Sequence, residues 1–494
     1  MKAFIHRLSS ALLPLLALPA AAQQRPNIVY IMCDDLGYGD LSCYGQQHFL
    51  TPNIDRLSSQ GMRMTSAYAG SPVSAPSRAC LMTGQHSGHT YVRGNREHWS
   101  GRVTYGENAD YAVVGQEPYD TAVAILPELL KAAGYRTGMF GKWAGGYEGS
   151  PSTPDRRGVD EFYGYICQFQ AHLYFPNFLN RYSRAAGDTC VVREVLEQNI
   201  RHAMYGEDYA NRRQYSADLI HRRALEWLRQ QEKDKPFFGI LTYTLPHAEL
   251  SQPDDSLLQS YRGKLLPERE YRGDKGSRYN PTPEGHAQFA AMVARLDAQV
   301  GEIMQLLEER GLTDNTVLIF TSDNGPHEEG GADPGYFNHD GKFRGLKRST
   351  HEGGIRIPFI VRWPGHIPAG SESDQPFAFY DLMPTFCELA ATTASPHTDG
   401  LSILPTWLGH PENQLQHDHL YWEFHETDML GVRRGDWKLV VHHGKPALYN
   451  LADDPHEDND LAGRYPDIVR LLVGKIYEDH TDSPLFPVTL PPRP

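Results

Sequence analysis

The stretch PNIVYIMCDDLG, residues 26–37, decides the fold of this chain. Its first eight residues are rich in Ile, Val and Tyr and show no alternation with charged residues, which is the pattern of a strand buried on both faces. The run stops abruptly at Asp34-Asp35, and Gly37 follows shortly after. A buried strand that feeds a polar loop is typical of a parallel sheet covered by helices on both sides.

Working outward, strand-like and helix-like segments alternate along three quarters of the chain. The strands are expected at residues 135–140, 237–243 and 316–321, and the helices at residues 126–133, with a start near Thr121, and 289–307. This order predicts an α/β fold with a doubly wound, mostly parallel sheet. After residue 371, short strands at 420–424, 431–441 and 447–450 lie between helices at 380–390 and 466–478. We therefore predict a large domain over residues 23–372 and a smaller antiparallel-sheet subdomain over residues 373–494.

The first 22 residues have the features of a secretory signal peptide. Lys2 and Arg7 precede a short apolar run at residues 11–18, and three alanines end at Ala22. The run is too short to span a bilayer, and no cysteine follows it to carry a lipid. We expect a periplasmic or secreted protein without stable membrane insertion. Export permits disulfides, and Cys167 with Cys190 is the candidate pair among six cysteines.

The overall charge argues against a nucleic-acid partner. The chain has 61 Asp plus Glu against 47 Lys plus Arg, a formal net charge of -14. Such a balance excludes a generally basic, polyanion-binding surface. A local basic pocket is still compatible with it.

Four of the predicted strands end in residues able to do chemistry. These ends carry Asp34-Asp35, Lys142, His247 and Asp323-Asn324. In open α/β sheets, ligands bind beyond the carboxyl ends of the strands. Carboxylate and amide oxygens suit Ca2+ or Mg2+ rather than zinc. A helix cap or a turn would explain either acidic pair alone, but four such ends favour a binding site.

The run SAPSR, residues 74–78, is the second chemical feature. Pro76 suits the first turn of a helix, where backbone N–H groups favour an anion, and Arg78 adds a positive charge. Ser74 would lie at the helix mouth as a candidate nucleophile. Unmodified serine is a weak nucleophile and no Ser-His-Asp spacing is visible, so a helix-capping serine is the alternative.

This run resembles the Cys/Ser-x-Pro-Ser-Arg signature of type I, formylglycine-dependent sulfatases, in its serine form. The resemblance extends from Pro26 to the C-terminus. It includes Lys347 with EGGIRIP at 352–358, WPG at 363–365 and LYNL at 448–451. It implies a large alkaline-phosphatase-like mixed sheet, a smaller C-terminal subdomain, hydrolysis of sulfate esters, and a maturase that oxidises Ser74 to formylglycine.

The resemblance also implies a role for each matching position. Calcium, with Mg2+ as the alternative ion, would be bound by Asp34, Asp35, Asp323, Asn324 and the formylglycine at Ser74. A hydroxyl of hydrated formylglycine would attack sulfur, with Arg78 favouring its ionised form. Lys142 and Lys347 would hold the sulfate oxygens, and His247 would protonate the leaving oxygen.

One position departs from the family pattern. Many members have histidine two residues after the first lysine, where this chain has Gly-Lys-Trp followed by Ala144. That histidine is usually assigned to breakdown of the hemiacetal sulfate. The candidates for this base are His247, His339 and Asp340.

Four further stretches resemble a bacterial subfamily that acts on sulfated galactose or N-acetylgalactosamine. They are TYVRGN at 90–95, QFQAH at 168–172, PHAEL at 246–250 and YWEFHE at 421–426. The sulfated carbohydrate would be contacted by Arg93, Asn95, His172 and His425. The alternative for the aromatic residues of the last stretch is that they form the core of the small sheet.

Two other functions compete with sulfate-ester hydrolysis. A phosphomonoesterase or phosphonate hydrolase of the same superfamily would use unoxidised Ser74, although the zinc-rich His and Asp sets of many such relatives are not evident. A non-catalytic sulfated-glycan-binding protein would explain Ala144. The presence of Ser74, Arg78, both lysines and all four metal ligands favours a sulfatase.

Overall fold

A computed structural model describes residues 25–100, 113–198, 211–273 and 279–494, so the predicted signal peptide lies outside the described residues. The strands are β1 (Asn27–Cys33), β2 (Met62–Tyr68), β3 (Glu97–Ser100), β4 (Val113–Gln116), β5 (Arg136–Lys142), β6 (Glu161–Tyr165), β7 (Phe178–Ser183), β8 (Val192–Val195), β9 (Phe237–Thr242), β10 (Thr316–Ser322), β11 (Arg356–Arg362), β12 (Ser371–Ser373), β13 (Phe377–Ala378), β14 (Leu420–Phe424), β15 (Met429–Arg434), β16 (Trp437–His442) and β17 (Lys445–Asn450). The helices are α1 (Pro52–Ser59), α2 (Ser74–Thr83), α3 (Leu126–Ala132), α4 (Ser216–Arg229), α5 (Ser256–Tyr261), α6 (Gly285–Glu309), α7 (Pro334–Phe337), α8 (Glu352–Ile355), α9 (Leu382–Leu389), α10 (Leu404–Trp407) and α11 (Pro466–Asp479).

Eleven of these strands form one large sheet, in the order β12-β2-β11-β10-β1-β9-β5-β6-β7-β8 with β13 paired to β2. The central strands β10, β1, β9, β5 and β6 are parallel. Antiparallel pairs flank this core on both sides. The prediction of a large mixed sheet is confirmed, and β1 lies near its middle.

The alternation of side chains along β1 explains why its sequence is apolar throughout. Val29 and Ile31 face a core that includes residues of α1, α4 and α6. Ile28 and Tyr30 face the opposite core, which includes residues of α2, α3 and α9. Because side chains of a strand alternate between faces, covering both faces requires apolar residues at every position. Each fully buried large aliphatic side chain stabilises the fold by about 1.5–3 kcal/mol.

Element boundaries differ from the sequence prediction in two places. Helix α3 begins at Leu126 rather than near Thr121, since Pro127 occupies its first turn, the place in a helix that tolerates proline. The single strand expected at 431–441 is a hairpin of β15 and β16. Its turn uses Gly435 at φ 59°, a conformation that favours glycine.

The C-terminal subdomain is smaller than the predicted one. Strand β13 pairs with β2 of the large sheet, and residues of α9 and α10 lie in the same core as α2 and α3. The separate sheet has the order β14-β15-β16-β17 and packs against α11. Packing therefore moves the boundary from residue 372 to the segment before Leu420, because residues 377–407 bury their apolar surface against the large sheet.

All six cysteines are free, so the candidate pair of Cys167 and Cys190 is not bonded, and four of the six are buried. Cys167 is buried and Cys190 is exposed, so the two side chains lie in different environments. Within the described ranges, none of the helices has the length and apolar character needed to cross a membrane.

Candidate active site

The topology brings the four polar strand ends to one edge of the sheet. Strands β10, β1, β9 and β5 are adjacent and parallel, so the residues after them lie side by side. The Asp34 amide donates to the Leu245 carbonyl at 3.2 Å, and the Asp323 amide donates to the Cys33 carbonyl at 3.0 Å. These backbone bonds continue the strand pairing into the loops and fix where the acidic side chains begin.

Helix α2 brings Ser74 to the same edge. Ser74 is the first residue of α2, and the helix is buried along its whole length. The Ser74 hydroxyl donates to Asp34 Oδ1 at 2.9 Å and lies 3.4 Å from Asn324 Oδ1. The Asn324 amide group donates to Asp35 Oδ1 at 2.7 Å, and the Asp35 backbone donates to Asp323 Oδ1 at 3.1 Å. The five predicted metal ligands therefore form one buried cluster.

The donors of this cluster fit a hard divalent cation. All of them offer oxygen atoms from three carboxylates, one amide and one hydroxyl, the set that Ca2+ and Mg2+ prefer. Burial raises the pKa of Asp323 above its usual range, and repulsion from the neighbouring Asp34 carboxylate adds to this shift. A bound divalent cation would relieve this repulsion.

Arg78 contacts the acidic cluster at Asp323 and Asp34. Its guanidinium donates twice to Asp323 Oδ2, at 3.0 and 2.8 Å, and once to the Lys142 carbonyl at 2.9 Å. It is 3.6 Å from Asp34 Oδ2. Because these donors are directed at Asp323 and Lys142, Arg78 acts on Ser74 through the field of its charge and through the residues that it positions.

Two lysine ammonium groups approach the cluster from opposite sides. Lys142 Nζ lies 2.6 Å from Asp34 Oδ2, and Lys347 Nζ lies 2.8 Å from Asp35 Oδ2. Burial by itself would raise the pKa of Asp34, but the charge of Lys142 holds it well below its usual range. Burial likewise works against a charged Lys347, but the Asp35 carboxylate raises its pKa. Lys142 differs, since burial lowers the pKa of its ammonium even though the adjacent Asp34 carboxylate opposes this shift.

His247 directs one ring nitrogen at these groups. Its Nδ1 bonds the Ala248 carbonyl, so the neutral ring carries its proton there. Its Nε2 lies 3.0 Å from Lys347 Nζ and 3.2 Å from Asp35 Oδ2. Burial and the adjacent Lys347 charge lower the pKa of His247 to about 4. The ring stacks between His172 and His327, with centroid distances of 4.7 and 5.6 Å.

These groups open into a cavity of about 1170 Å3. Its inner end has Ser74, Lys142, His247 and Lys347, and its walls come from loops of both domains. The wall residues are Val73, Asn95, Arg96, Glu97, Gln168, His172, Tyr271, Tyr279, Glu328, Glu329, Gly330, Arg348, His425, Glu426, Leu485 and Phe486. The volume is slightly above the range of about 300–1,000 Å3 that is typical of pockets for a small organic ligand.

Three of the four predicted sugar contacts line this cavity, namely Asn95, His172 and His425. Asn95 Oδ1 accepts from Gln168 at 2.8 Å. Within the described residues, His172 Nδ1 has no hydrogen-bond partner although it is buried. An unsatisfied polar atom beside the inner end of the cavity suits a ligand hydroxyl.

The fourth predicted contact, Arg93, has a different place. Its side chain is buried and pairs with Glu423 Oε1 at 2.8 Å, and it also donates to Thr481. It does not belong to the cavity lining, so its guanidinium connects the two domains instead. The aromatic side chains of Tyr421, Trp422 and Phe424 are also buried. Tyr421 lies in the core of the small sheet, as the alternative interpretation stated, whereas Trp422 packs against Tyr68 of the large sheet.

Of the three candidates for the base that breaks down the hemiacetal sulfate, only His247 lines the cavity. His339 is buried against Phe289 and Phe337 and bonds Asp40, away from the cavity. Neither it nor Asp340 lines the cavity, whereas His247 does. Ala144, at the position where many family members have histidine, is buried and has a φ of 58°.

Sequence reasoning missed most of the cavity wall, including Tyr279, Glu329 and Arg348. Glu329 follows the Asp323-Asn324 strand end, and Arg348 follows Lys347, so both are close in sequence to predicted site residues. This closeness in sequence to predicted site residues was the signal that could have identified Glu329 and Arg348. Tyr279 comes from a loop that has no such marker, and only the fold places it there.

The chain is similar to known sulfatases over most of its length. The sulfatase family model matches residues 26–392, and the model for the C-terminal part of N-sulphoglucosamine sulphohydrolase matches residues 341–480. The N-acetylgalactosamine-6-O-sulfatase of Bacteroides thetaiotaomicron is 29% identical, over 91% of this chain and 92% of that protein. The N-acetylgalactosamine-6-sulfatase of Rattus norvegicus is 33% identical, over 82% and 71%. The crystal structure of Ps i-CgsB in complex with k-i-k-neocarrahexaose superposes with a TM-score of 0.70 at 26% identity, covering 93% of this chain and 94% of that one.

Proposed function

The chain belongs to the sulfatase family and is a sulfuric ester hydrolase, and from this premise we propose its chemistry and substrate. It is an exported enzyme that removes sulfate from a galactose or N-acetylgalactosamine unit of a sulfated glycan. Its nucleophile derives from Ser74, oxidised to formylglycine by a maturase. One observation carries the proposal: Ser74 begins a buried helix within 3.4 Å of two acidic-cluster residues and faces the cavity.

The acidic cluster of Asp34, Asp35, Asp323 and Asn324 is the proposed binding site for one calcium ion, together with residue 74. When bound, the ion and hydrated formylglycine supply the positive charge and the hydroxyl nucleophile for attack on sulfur. Arg78 fixes Asp323 through two hydrogen bonds and so keeps the ligand set in place. The helix α2 N-terminus adds a favourable field for an anion next to residue 74.

Lys142 and Lys347 are proposed to bind the non-bridging oxygens of the sulfate group. Both ammonium groups lie at the inner end of the cavity, and their charge offsets the charge of the sulfate in the transition state. Asp34 and Asp35, which contact the two ammonium groups here, would also hold the divalent cation, and their oxygens would then be shared between the cation and the lysines.

His247 is proposed to protonate the leaving oxygen. Its Nδ1–H is held by a backbone carbonyl, which leaves Nε2 as the atom that exchanges a proton with the substrate. A sulfate ester bound next to it would raise its pKa from the low value of the free site, because a nearby negative charge favours the charged ring. A sugar alkoxide is a poor leaving group, and this proton lowers the barrier to its departure.

The sugar assignment rests on the relatives and on the cavity wall. Two relatives are named for N-acetylgalactosamine sulfate, and a structural neighbour was solved with an oligosaccharide. The wall around the inner end combines Asn95, Gln168, His172 and His425 with apolar Leu485. Amide and imidazole groups of this kind bind sugar hydroxyls, while an apolar contact covers a sugar face.

The test follows residue 74 in the native host. Peptide mass spectrometry should find residue 74 converted from serine to formylglycine, and this preparation should release sulfate from a 6-sulfated galactose or N-acetylgalactosamine. Protein made without a serine-type maturase should carry unmodified Ser74 and show little turnover. The Ser74→Ala variant should be inactive but folded. Full turnover by unmodified protein would contradict the proposed nucleophile.

A further inference from the structure

We propose that Glu329, which no known role explains, is a positioning residue for the sulfate-binding ammonium of Lys347. This inference rests on the proposed function of the site. Glu329 Oε2 lies 3.3 Å from Lys347 Nζ at the inner end of the cavity. A carboxylate next to a sulfate-binding site would repel the substrate unless its charge were used to hold a cation, so its place calls for such a role.

The other partners of Lys347 have different tasks in the working enzyme. In this structure, the ammonium also contacts Asp35 Oδ2 at 2.8 Å and His247 Nε2 at 3.0 Å. Asp35 is a proposed metal ligand, and His247 is the proposed donor to the leaving oxygen. Of the three contacts, Glu329 is therefore the one that stays available to Lys347 throughout the reaction.

Glu329 is itself held rigidly from three directions. Arg348 Nη1 donates to its Oε1 at 2.6 Å, and the Tyr279 hydroxyl donates to its Oε2 at 2.6 Å. Its backbone N–H donates to His327 Nδ1 at 3.1 Å. Burial works against ionisation of this carboxyl, but the charges of Lys347 and Arg348 hold its pKa well below the usual range. The carboxylate is thus a fixed, charged anchor.

The backbone next to Lys347 is fixed in the same way. The Arg348 N–H donates to the Pro72 carbonyl at 2.8 Å, and the Thr427 hydroxyl donates to the Arg348 carbonyl at 2.8 Å. Pro72 lies two residues before Ser74, so these bonds join the lysine loop to the start of α2. The remaining freedom is in the long Lys347 side chain, and the Glu329 contact removes it.

The Glu329→Gln variant tests this role, because it keeps the shape and removes the charge. Loss of a charge-assisted contact of this type should weaken binding of inorganic sulfate, measured as a competitive inhibitor, by about tenfold. KM for a sulfate ester should rise with it. Inhibition by free galactose, which is neutral and has no sulfate group for Lys347 to bind, should stay at the wild-type value. Glu329→Asp should recover part of the sulfate affinity.

Glu328→Gln is the matched control, since Glu328 lines the same cavity and its substitution by Gln removes the same charge. Tyr279→Phe removes one anchor of Glu329 without touching Lys347 and should give a smaller change in the same direction; it also tests the proposal if Glu329→Gln does not fold. All preparations are compared at equal formylglycine and calcium content. Unchanged sulfate inhibition in Glu329→Gln, or an equal change in Glu328→Gln, would overturn the positioning role. A wild-type preparation with formylglycine but no sulfate release would instead contradict the proposed function.

Discussion

At the scale of single residues, the site is a group of charged side chains whose charged forms are disfavoured by burial. Three buried carboxylates lie 2.6 to 3.6 Å from Arg78, Lys142 and Lys347. At Asp34 and Asp35, attraction to these cations outweighs desolvation, so the pKa of each carboxyl is lowered. Removing one partner from such a cluster leaves an uncompensated charge in the interior. Single substitutions here should therefore change stability and catalysis together, and measurements must separate the two.

His247 offers such a separation through its choice of substrate. The His247→Ala variant should lose on the order of 100- to 10,000-fold in turnover of a sulfated galactose, the usual contribution of a general acid. An activated aryl sulfate leaves as a stable phenolate and should lose far less. Both rates are measured on one preparation. Equal losses for the two substrates would remove His247 from the acid role and leave it as a contact of Lys347.

Asp323 tests the metal site. Asp323→Ala should abolish turnover and weaken calcium binding in calorimetry, because it removes one of four protein oxygen ligands besides residue 74. It also leaves the buried Arg78 without its two hydrogen bonds, which should lower the free energy of unfolding by about 3–5 kcal/mol. Asp314→Ala, at an exposed position before β10, is the control and should change neither property. Wild-type calcium affinity in Asp323→Ala would refute the assignment.

At the scale of elements, close strand packing sets where Lys142 lies. Gly141 precedes it at the end of β5 and has φ 124°. A Cβ at this position would lie 1.9 Å from the Thr242 carbonyl oxygen of β9. Glycine is therefore required for β5 and β9 to approach each other at the edge where their ends supply Lys142 and His247.

Gly141→Ala should consequently destabilise the protein and misplace Lys142. Overpacking of this kind typically costs about 1–3 kcal/mol, with backbone strain in addition. Gly149→Ala is the matched control, since Gly149 also has positive φ, 82°, but has open space around it. Thermal unfolding should show a clearly larger loss for Gly141→Ala, and its turnover should fall while Gly149→Ala keeps near wild-type activity. Equal losses in the two variants would show that strain alone, rather than contact between strands, is responsible.

At the scale of the whole molecule, the small sheet completes the cavity that the large sheet begins. The C-terminal part supplies His425, Glu426, Leu485 and Phe486 to the cavity wall. Arg93 of the large domain holds this part through Glu423 and Thr481. In the proposed complex, the sulfate end of the substrate would be bound by the large domain, and the sugar end would be enclosed by both.

Arg93→Met should reveal this structural role. Breaking a buried ion pair leaves Glu423 unpaired and should lower the free energy of unfolding by about 3–5 kcal/mol. The double variant Arg93→Met with Glu423→Gln should recover part of that loss. Denaturant unfolding measures both. KM for a small aryl sulfate should be unchanged at a temperature where the variant is folded. A raised KM for the sugar substrate without loss of stability would restore Arg93 as a sugar contact.

Much of this arrangement could be predicted from the sequence. The apolar run before Asp34 predicts a central strand, and the polar residues after four strands predict one shared edge, since both patterns are local. The SAPSR run at Ser74 indicates the family because the signature that it resembles is a short linear sequence. For these features, the decisive physical interaction is between residues close in the chain.

Other features were decided only by the tertiary structure. Arg93 lies between the two domains rather than in the cavity lining because Glu423, 330 residues later, comes within 2.8 Å of it. Residues 377–407 join the large domain because β13 pairs with β2, and Glu329 acquires its place from Tyr279, Lys347 and Arg348. Local sequence determined which chemistry the chain can carry. Long-range packing determined which charged side chains face the cavity and which neutralise one another in the interior, because a buried charge needs a partner and only the folded chain brings that partner near.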